Sequence, residues 1–251
     1  MYYGIKGTNV RLMGSLHMVP ADQPAMPWFV TNAYEWCEQI AFEHDNASLD
    51  MRWIMTLPEG ETLVSKIPAQ LFAKIKAVWP DTHRLGMLRN QSLFMVATGL
   101  SLGTMQLVAG VETVLTSRAK VDGKPIKYLE TPREFIEVAR TIDDKQFFEI
   151  FEMIMSKAGQ GEVTVRALHD AWSNYNIKGI EAVLPSTFYA LLPRVKAALL
   201  DRRNAEWMPT ISAALKVPHR TLIAVGALHL VGEKGLLKLL QEQGYETSLV
   251  L

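Results

Sequence analysis

"VRLMGSLHMVP" occupies residues 10–20, and "TLIAVGALHLVG" occupies residues 221–232. Each is an apolar run followed by Gly, a small residue, Leu, His, a further apolar residue and Val. The first phrase places its pair at Gly14 and His17, the second at Gly226 and His229. Both apolar runs read as β-strands, so each histidine falls just beyond a strand's carboxyl end. That is where the loops of an α/β sheet gather their ligands. A Gly three residues before each His lets the backbone turn sharply or approach another group closely. If both strands lie centrally in one sheet, the two imidazoles converge from opposite ends of the chain.

Working outward, "MYYGIKGTNVRLMGSL" (1–16) reads as a hairpin around a Gly/Asn turn. "PWFVTNAYEWCEQ" (27–39) reads as a helix with Pro at its start, and "IAF" (40–42) as a short buried strand running into Glu43, His44 and Asp45. "PAQLFAKIKAVW" (68–79) is an amphipathic helix ended by Pro80. The stretch from Asn90 to Val111 has no charged residue and is long enough to span a bilayer. Its three glycines, Gln106 and several hydroxyls, with no aromatic belt, read instead as a buried helix pair whose pattern runs on towards Arg118. "DGKPIKYLET" (122–131) is a turn and a strand, and a mostly helical half follows, through "PREFIEVARTI", "DDKQFFEIFEMIMSKA", "TVRALHDAWSNY" and "RVKAALLDRRNAEWMPTISAAL". After the strand at 220–225 come a helix at 233–243, closed by Gly244, and a last strand, "ETSLVL". The expected fold is α/β: a single domain over 1–251, with a mixed central β-sheet, a helical insertion and two G-x-x-H loops at strand ends.

Composition narrows the function. The 26 basic and 26 acidic residues cancel, and no long basic run is present to neutralise phosphates, which argues against nucleic acid. The sole cysteine, Cys37, rules out an intrachain disulfide framework and a Cys-rich zinc site, and beside Trp36 it reads as a small packed hydrophobe. The N-terminal residues lack the basic, apolar and cleavage regions of a leader. The expectation is a cytoplasmic protein without stable membrane insertion, an extracytoplasmic site being the alternative if a leader has been removed.

His17, His229 and Glu43 are the candidate ligands. Two imidazoles and one carboxylate make an open site for a divalent ion, with positions left for water and substrate. Glu43 is preferred to His44, because neighbouring side chains on a strand point to opposite faces. A rival motif, G-x-S-x-G at 99–103, would make Ser101 a nucleophile only on a turn between a strand and a helix. The residues before Ser101 continue into a helical pattern, and no oxyanion loop of the matching kind occurs. His83, His169 and His219 read as surface or packing residues, and the twelve methionines as core filler.

Taken together, the two phrases, "FEHD" (42–45), "GVETVL" (110–115), "GKPIKYLET" (123–131) and "RRNAEWMPTI" (202–211) resemble the TraB/GumN family, also called TraB/PrgY and related to the Tiki metalloproteases. The resemblance covers effectively the whole chain and is strongest at "VGALHLVGEKGLLKLLQEQGY" (225–245). It implies a metal-dependent peptidase, often supported by manganese or cobalt, using His17, His229 and Glu43. It places the family's other polar positions at Glu112, Glu130, Arg203 and Asn204. The expected cofactor is a divalent ion (Mn, Co or Zn) held by His17, His229 and Glu43. Glu43 or Glu130 would serve as general base, and Arg203 would stabilise the oxyanion. The expected partner is a peptide or protein. The names of bacterial relatives, drawn from plasmid transfer and pheromone inhibition, imply the alternative of a non-catalytic regulator binding a peptide, haem or partner.

Overall fold

Strands β1 (Tyr2–Ile5) and β2 (Val10–Ser15) form the expected hairpin, with Tyr2 opposite Met13. The computed structural model describes residues 1–23, 25–78, 89–157 and 159–250. Along the chain follow β3 (Met18–Pro20), β4 (Gln39–Phe42), β5 (Leu107–Ala109), β6 (Ile126–Tyr128), β7 (Thr221–Gly226) and β8 (Thr247–Leu249). Six of these build one mixed sheet in the order β6-β4-β7-β2-β1-β8, and β3 pairs with β5 in a second, two-stranded sheet. β6, β4, β7 and β2 are mutually parallel, so their carboxyl ends share one edge. Parallel strands covered on both faces need near-continuous apolar runs. β4 is buried throughout and β7 is buried up to Gly226.

The helices are α1 (Trp28–Trp36), α2 (Arg52–Met55), α3 (Leu63–Lys66), α4 (Ala69–Val78), α5 (Leu93–Leu102), α6 (Val111–Asp122) and α7 (Pro132–Ala139). The later ones are α8 (Asp144–Ser156), α9 (Gln160–Ser173), α10 (Ile177–Val183), α11 (Pro193–Lys196), α12 (Arg203–Ala214) and α13 (Leu236–Glu242). Capping boxes start three of them, Thr62 with Ser65 at α3, Thr131 with Glu134 at α7 and Asp143 with Gln146 at α8. The insertion packs a helical core of its own, including Phe147, Ile150, Phe151 and Leu199, beside the sheet core. Tyr189 packs against both cores. Trp172 of α9 donates its indole N–H to the Gly14 carbonyl at 2.7 Å, tying a helix to the end of β2.

Three expectations need correction. The uncharged stretch is not a helix pair: α5 stops at Gly103, which has a φ of 60°, then β5 pairs with β3, and α6 begins only at Val111. A positive φ, open to glycine, breaks the helix there, and the following residues pair with β3. Val108 and Ala109 of that stretch are exposed. Second, Gly14 and Gly226 belong to β2 and β7 rather than to loops, and His229 sits on a short 3₁₀ turn, Ala227–Leu230. Third, β4 ends at Phe42, so strand alternation does not separate Glu43 from His44. Ser101 lies inside α5 and donates to the Ala97 carbonyl at 2.8 Å, so the strand-to-helix elbow is absent there. Trp79, Pro80 and His83 lie outside the described residues. No helix among the described residues is long and apolar enough to cross a membrane.

Candidate metal centre

Each of the four parallel strands delivers a polar side chain at its carboxyl end. β2 leads to His17, β4 to Glu43 and His44, β6 to Glu130, and β7 to His229. Paired registers set their spacing: Ser15 lies opposite Gly226, and Phe42 opposite Tyr128.

The His17 loop is held by its neighbour across space. Gly110 and Val111 donate their amides to the carbonyls of His17 and Leu16, both at 3.0 Å. A β-carbon at Gly110 would fall 1.9 Å from the Leu16 oxygen, so only glycine permits this approach. The approach seats Glu112, in the first turn of α6, against His17, with Oε1 3.2 Å from Nδ1. The same oxygen accepts the Ser15 hydroxyl, while Glu112 Oε2 is buried with no hydrogen-bond partner. The His17 side chain is 48% exposed and forms the wet side of the centre.

His229 is buried, and its Nδ1 lies 2.6 Å from Asn204 Oδ1. Asn204 Nδ2 donates to the carbonyls of His229 and Lys234, which assigns the amide orientation. Nδ1 therefore carries the proton, and Nε2 presents its lone pair to the centre. Glu43 Oε1 accepts the Gly226 amide at 2.7 Å and lies 3.7 Å from that Nε2. A β-carbon built on Gly226 would lie 3.2 Å from Glu43 Oε1, 3.6 Å from His229 Cδ2 and 3.7 Å from His17 Nε2. Glycine thus leaves open a small space flanked by the three residues.

Arg203 closes the buried side. Its Nη2 donates to Glu43 Oε2 and to Glu130 Oε1, both at 2.6 Å, and its Nε donates to Glu130 at 3.1 Å. Nη1 donates to the Leu199 carbonyl and to His229 Nε2, both at 3.2 Å, so all five guanidinium N–H groups are engaged. The Trp207 indole N–H donates to Glu130 Oε2 at 3.0 Å, and the guanidinium carbon lies 4.6 Å from the Trp207 ring centre. His44 Nδ1 lies 3.0 Å from Glu130 Oε1, and its ring stacks on Phe135. Glu43, His44 and Glu130 are buried with ligand atoms within 4.8 Å of one another, a cluster that could hold a metal ion. Arg203 already bridges its two carboxylates, so an ion there would compete with a fixed cation.

The protonation states follow from these contacts. The Glu112 carboxylate raises His17 to about 9 against the opposing effect of burial. Burial lowers His229 to about 3, helped by the Arg203 charge and then His17, so this imidazole is neutral. Burial alone would raise Glu43, but Arg203 and the surrounding imidazoles outweigh it and hold the carboxyl well below its usual range. Glu130 is likewise lowered, His44 and Arg203 overcoming burial. Burial, with a smaller push from Glu43, raises the Tyr189 phenol to about 12.

All the residues expected at the site gather here: His17, Glu43, Glu130, Arg203 and His229, with Glu112 and Asn204 as direct supports. His44, the reserve to Glu43 in the sequence reading, joins them beside Glu130, and Ser15 and Trp207 were not anticipated as members. Trp207 had a usable signal, since it stands four residues after Arg203 on one helix face.

The model of the TraB/PrgY/gumN family matches residues 4–248. The chain is similar to the uncharacterized protein YbaP of Escherichia coli K12, 24% identical over 242 residues that cover 93% of this chain and 88% of that protein. It is similar also to YbaP of Shigella flexneri, 24% identical over 239 residues, or 92% of this chain and 87% of that one. No solved structure matches the chain.

Proposed function

The chain belongs to the TraB/PrgY/gumN family, and we propose that it is a divalent-metal-dependent hydrolase acting on peptide bonds. One observation carries this reading. The two matched histidines each have Nδ1 held by a side-chain oxygen, of Glu112 or Asn204, and both rings and Glu43 Oε1 flank Gly226 on one side. Orienting acceptors of this kind are the usual support of imidazole ligands. The buried, unpartnered Glu112 Oε2 on the residue that orients His17 is an orphaned anionic oxygen of the kind a cation would satisfy.

His17, His229 and Glu43 would hold the ion, with Mn²⁺, Co²⁺ and Zn²⁺ as the candidates. When bound, such an ion supplies Lewis acidity and an activated water with a pKa of about 7. The chain's own residues supply orientation and charge. Glu112 keeps the Nδ1 proton of His17, and its second oxygen has no hydrogen-bond partner and can accept a further proton. Glu130 spends both oxygens on Arg203, Trp207 and His44, so it fixes Arg203 rather than acting as base. Arg203 can face an oxyanion only through the Nη1 N–H that now meets His229 Nε2.

The test is chelator-treated protein assayed against a peptide library with each ion added singly. Turnover restored by one ion and lost in His17→Ala and His229→Ala supports the hydrolase. The second reading, a non-catalytic regulator, is favoured by Arg203, which neutralises the buried carboxylates with no ion needed. Stoichiometric peptide or haem binding without turnover under every ion would establish that reading instead.

A further inference from the structure

We propose that the free edge of β5 binds an extended polypeptide segment as an added strand, leading it past His17. The inference rests on the reading of the chain as peptide-directed, and it concerns how the peptide is held. Among the described residues, β5 pairs with β3 alone, Val108 lying opposite Val19. Flanking bonds fix the phase of this ladder: Gly110 N–H to the His17 carbonyl and Ala21 N–H to the Gln106 carbonyl, both 3.0 Å. Bonded positions alternate along an antiparallel pair, so 106, 108 and 110 face β3. The amides and carbonyls of Leu107 and Ala109 therefore face away from it.

The two edges of this small sheet differ. On β3 the outward position opposite Leu107 is Pro20, which has no N–H to offer and blunts that edge. Among the described residues β5 has no such protection. It lies within the run from Asn90 to Val111 that has no charged residue, and Val108 and Ala109 are exposed. Edges are normally guarded by charge, proline or a covering element. An unguarded edge with two outward peptide groups matches another backbone in extended form, with selectivity left to alternate side chains. Its carboxyl end runs straight into Gly110, which is bonded to the His17 loop, and Glu112, which meets the His17 ring. A strand laid there would bring a peptide group to the exposed side of the centre.

The test is amide hydrogen exchange on the full chain, with chelator present to prevent cleavage and reduced, carboxymethylated lactalbumin as the probe. The Leu107 and Ala109 amides should slow by about tenfold or more on saturation, while Val108, already bonded, changes little. Ala109→Pro should weaken lactalbumin binding about tenfold, the loss of one main-chain hydrogen bond, and leave Mn²⁺ uptake unchanged. Exchange at both amides unaffected by any lactalbumin concentration overturns the inference, whether or not the variant folds. Protection that instead grows with protein concentration alone assigns the edge to a second copy and overturns it too. Cleavage of lactalbumin with both amides unprotected sinks strand addition alone, whereas protection without cleavage under any metal sinks the hydrolase reading alone.

Discussion

His17 and His229 share a local phrase yet hold opposite charge states, near 9 and near 3, because their surroundings differ. His17 faces water and a carboxylate, whereas His229 is enclosed beside a guanidinium. NMR titration of the metal-free protein should find His17 changing charge near pH 9 and His229 neutral to about pH 3. His17's raised value means its proton stabilises the fold. That contribution is complete below the unfolded value of 6.5 and is lost as pH rises through about 9. An ion taking His17 Nε2 must displace this proton, so binding at pH 7 should release about one proton, read as buffer-dependent calorimetric heat. Glu43→Gln is the complementary test. Glu130 still pairs Arg203 in the variant, so stability should fall by only about 1–3 kcal/mol. Mn²⁺ affinity should fall at least about tenfold, because an amide is a poorer ligand than a carboxylate. Unchanged affinity with lost turnover would recast Glu43 as the base.

At the scale of elements, the centre depends on how a helix start and a helix defect are placed. α6 begins where Gly110 touches the His17 loop, so Gly110→Ala must push the two apart. We expect a loss of about 1–3 kcal/mol in denaturant unfolding, as for an overpacked contact. Separation from Glu112 should also bring the His17 titration back towards 6.5, so an unmoved titration would mean that α6 does not set this imidazole's charge. Between α11 and α12 the chain makes a π-helical turn, Ala197–Arg202. Such turns often mark functional sites. Arg203, Asn204 and Trp207 follow it directly, and each bonds a group of the centre.

At the scale of the whole molecule, the helical insertion is anchored to the sheet edge that carries the site. Trp172→Phe keeps an aromatic ring but removes the N–H that meets the Gly14 carbonyl and leaves a small buried cavity. It should cost at least about 1–3 kcal/mol, from the unpaired buried acceptor and the cavity together, measured by the denaturation midpoint. A smaller loss would show that another group satisfies that carbonyl. The sequence by itself determined the strands that end at His17 and His229, the α/β class and the helical insertion. Apolar runs and repeated spacing are local signals, and a strand's end is legible without its neighbours. It also marked Glu43, Glu130 and Arg203, the last two through family likeness. Only the tertiary structure decided that β2 and β7 are adjacent and parallel, which brings the two imidazoles to one place. It alone turned His44 towards Glu130, broke the uncharged stretch into a helix and a strand, and showed every N–H of Arg203 in use. Those outcomes rest largely on groups far apart along the chain, such as Arg203 with Glu130 and Glu43, 73 and 160 residues away. Charge compensation and strand pairing over such distances leave no periodic trace along the chain.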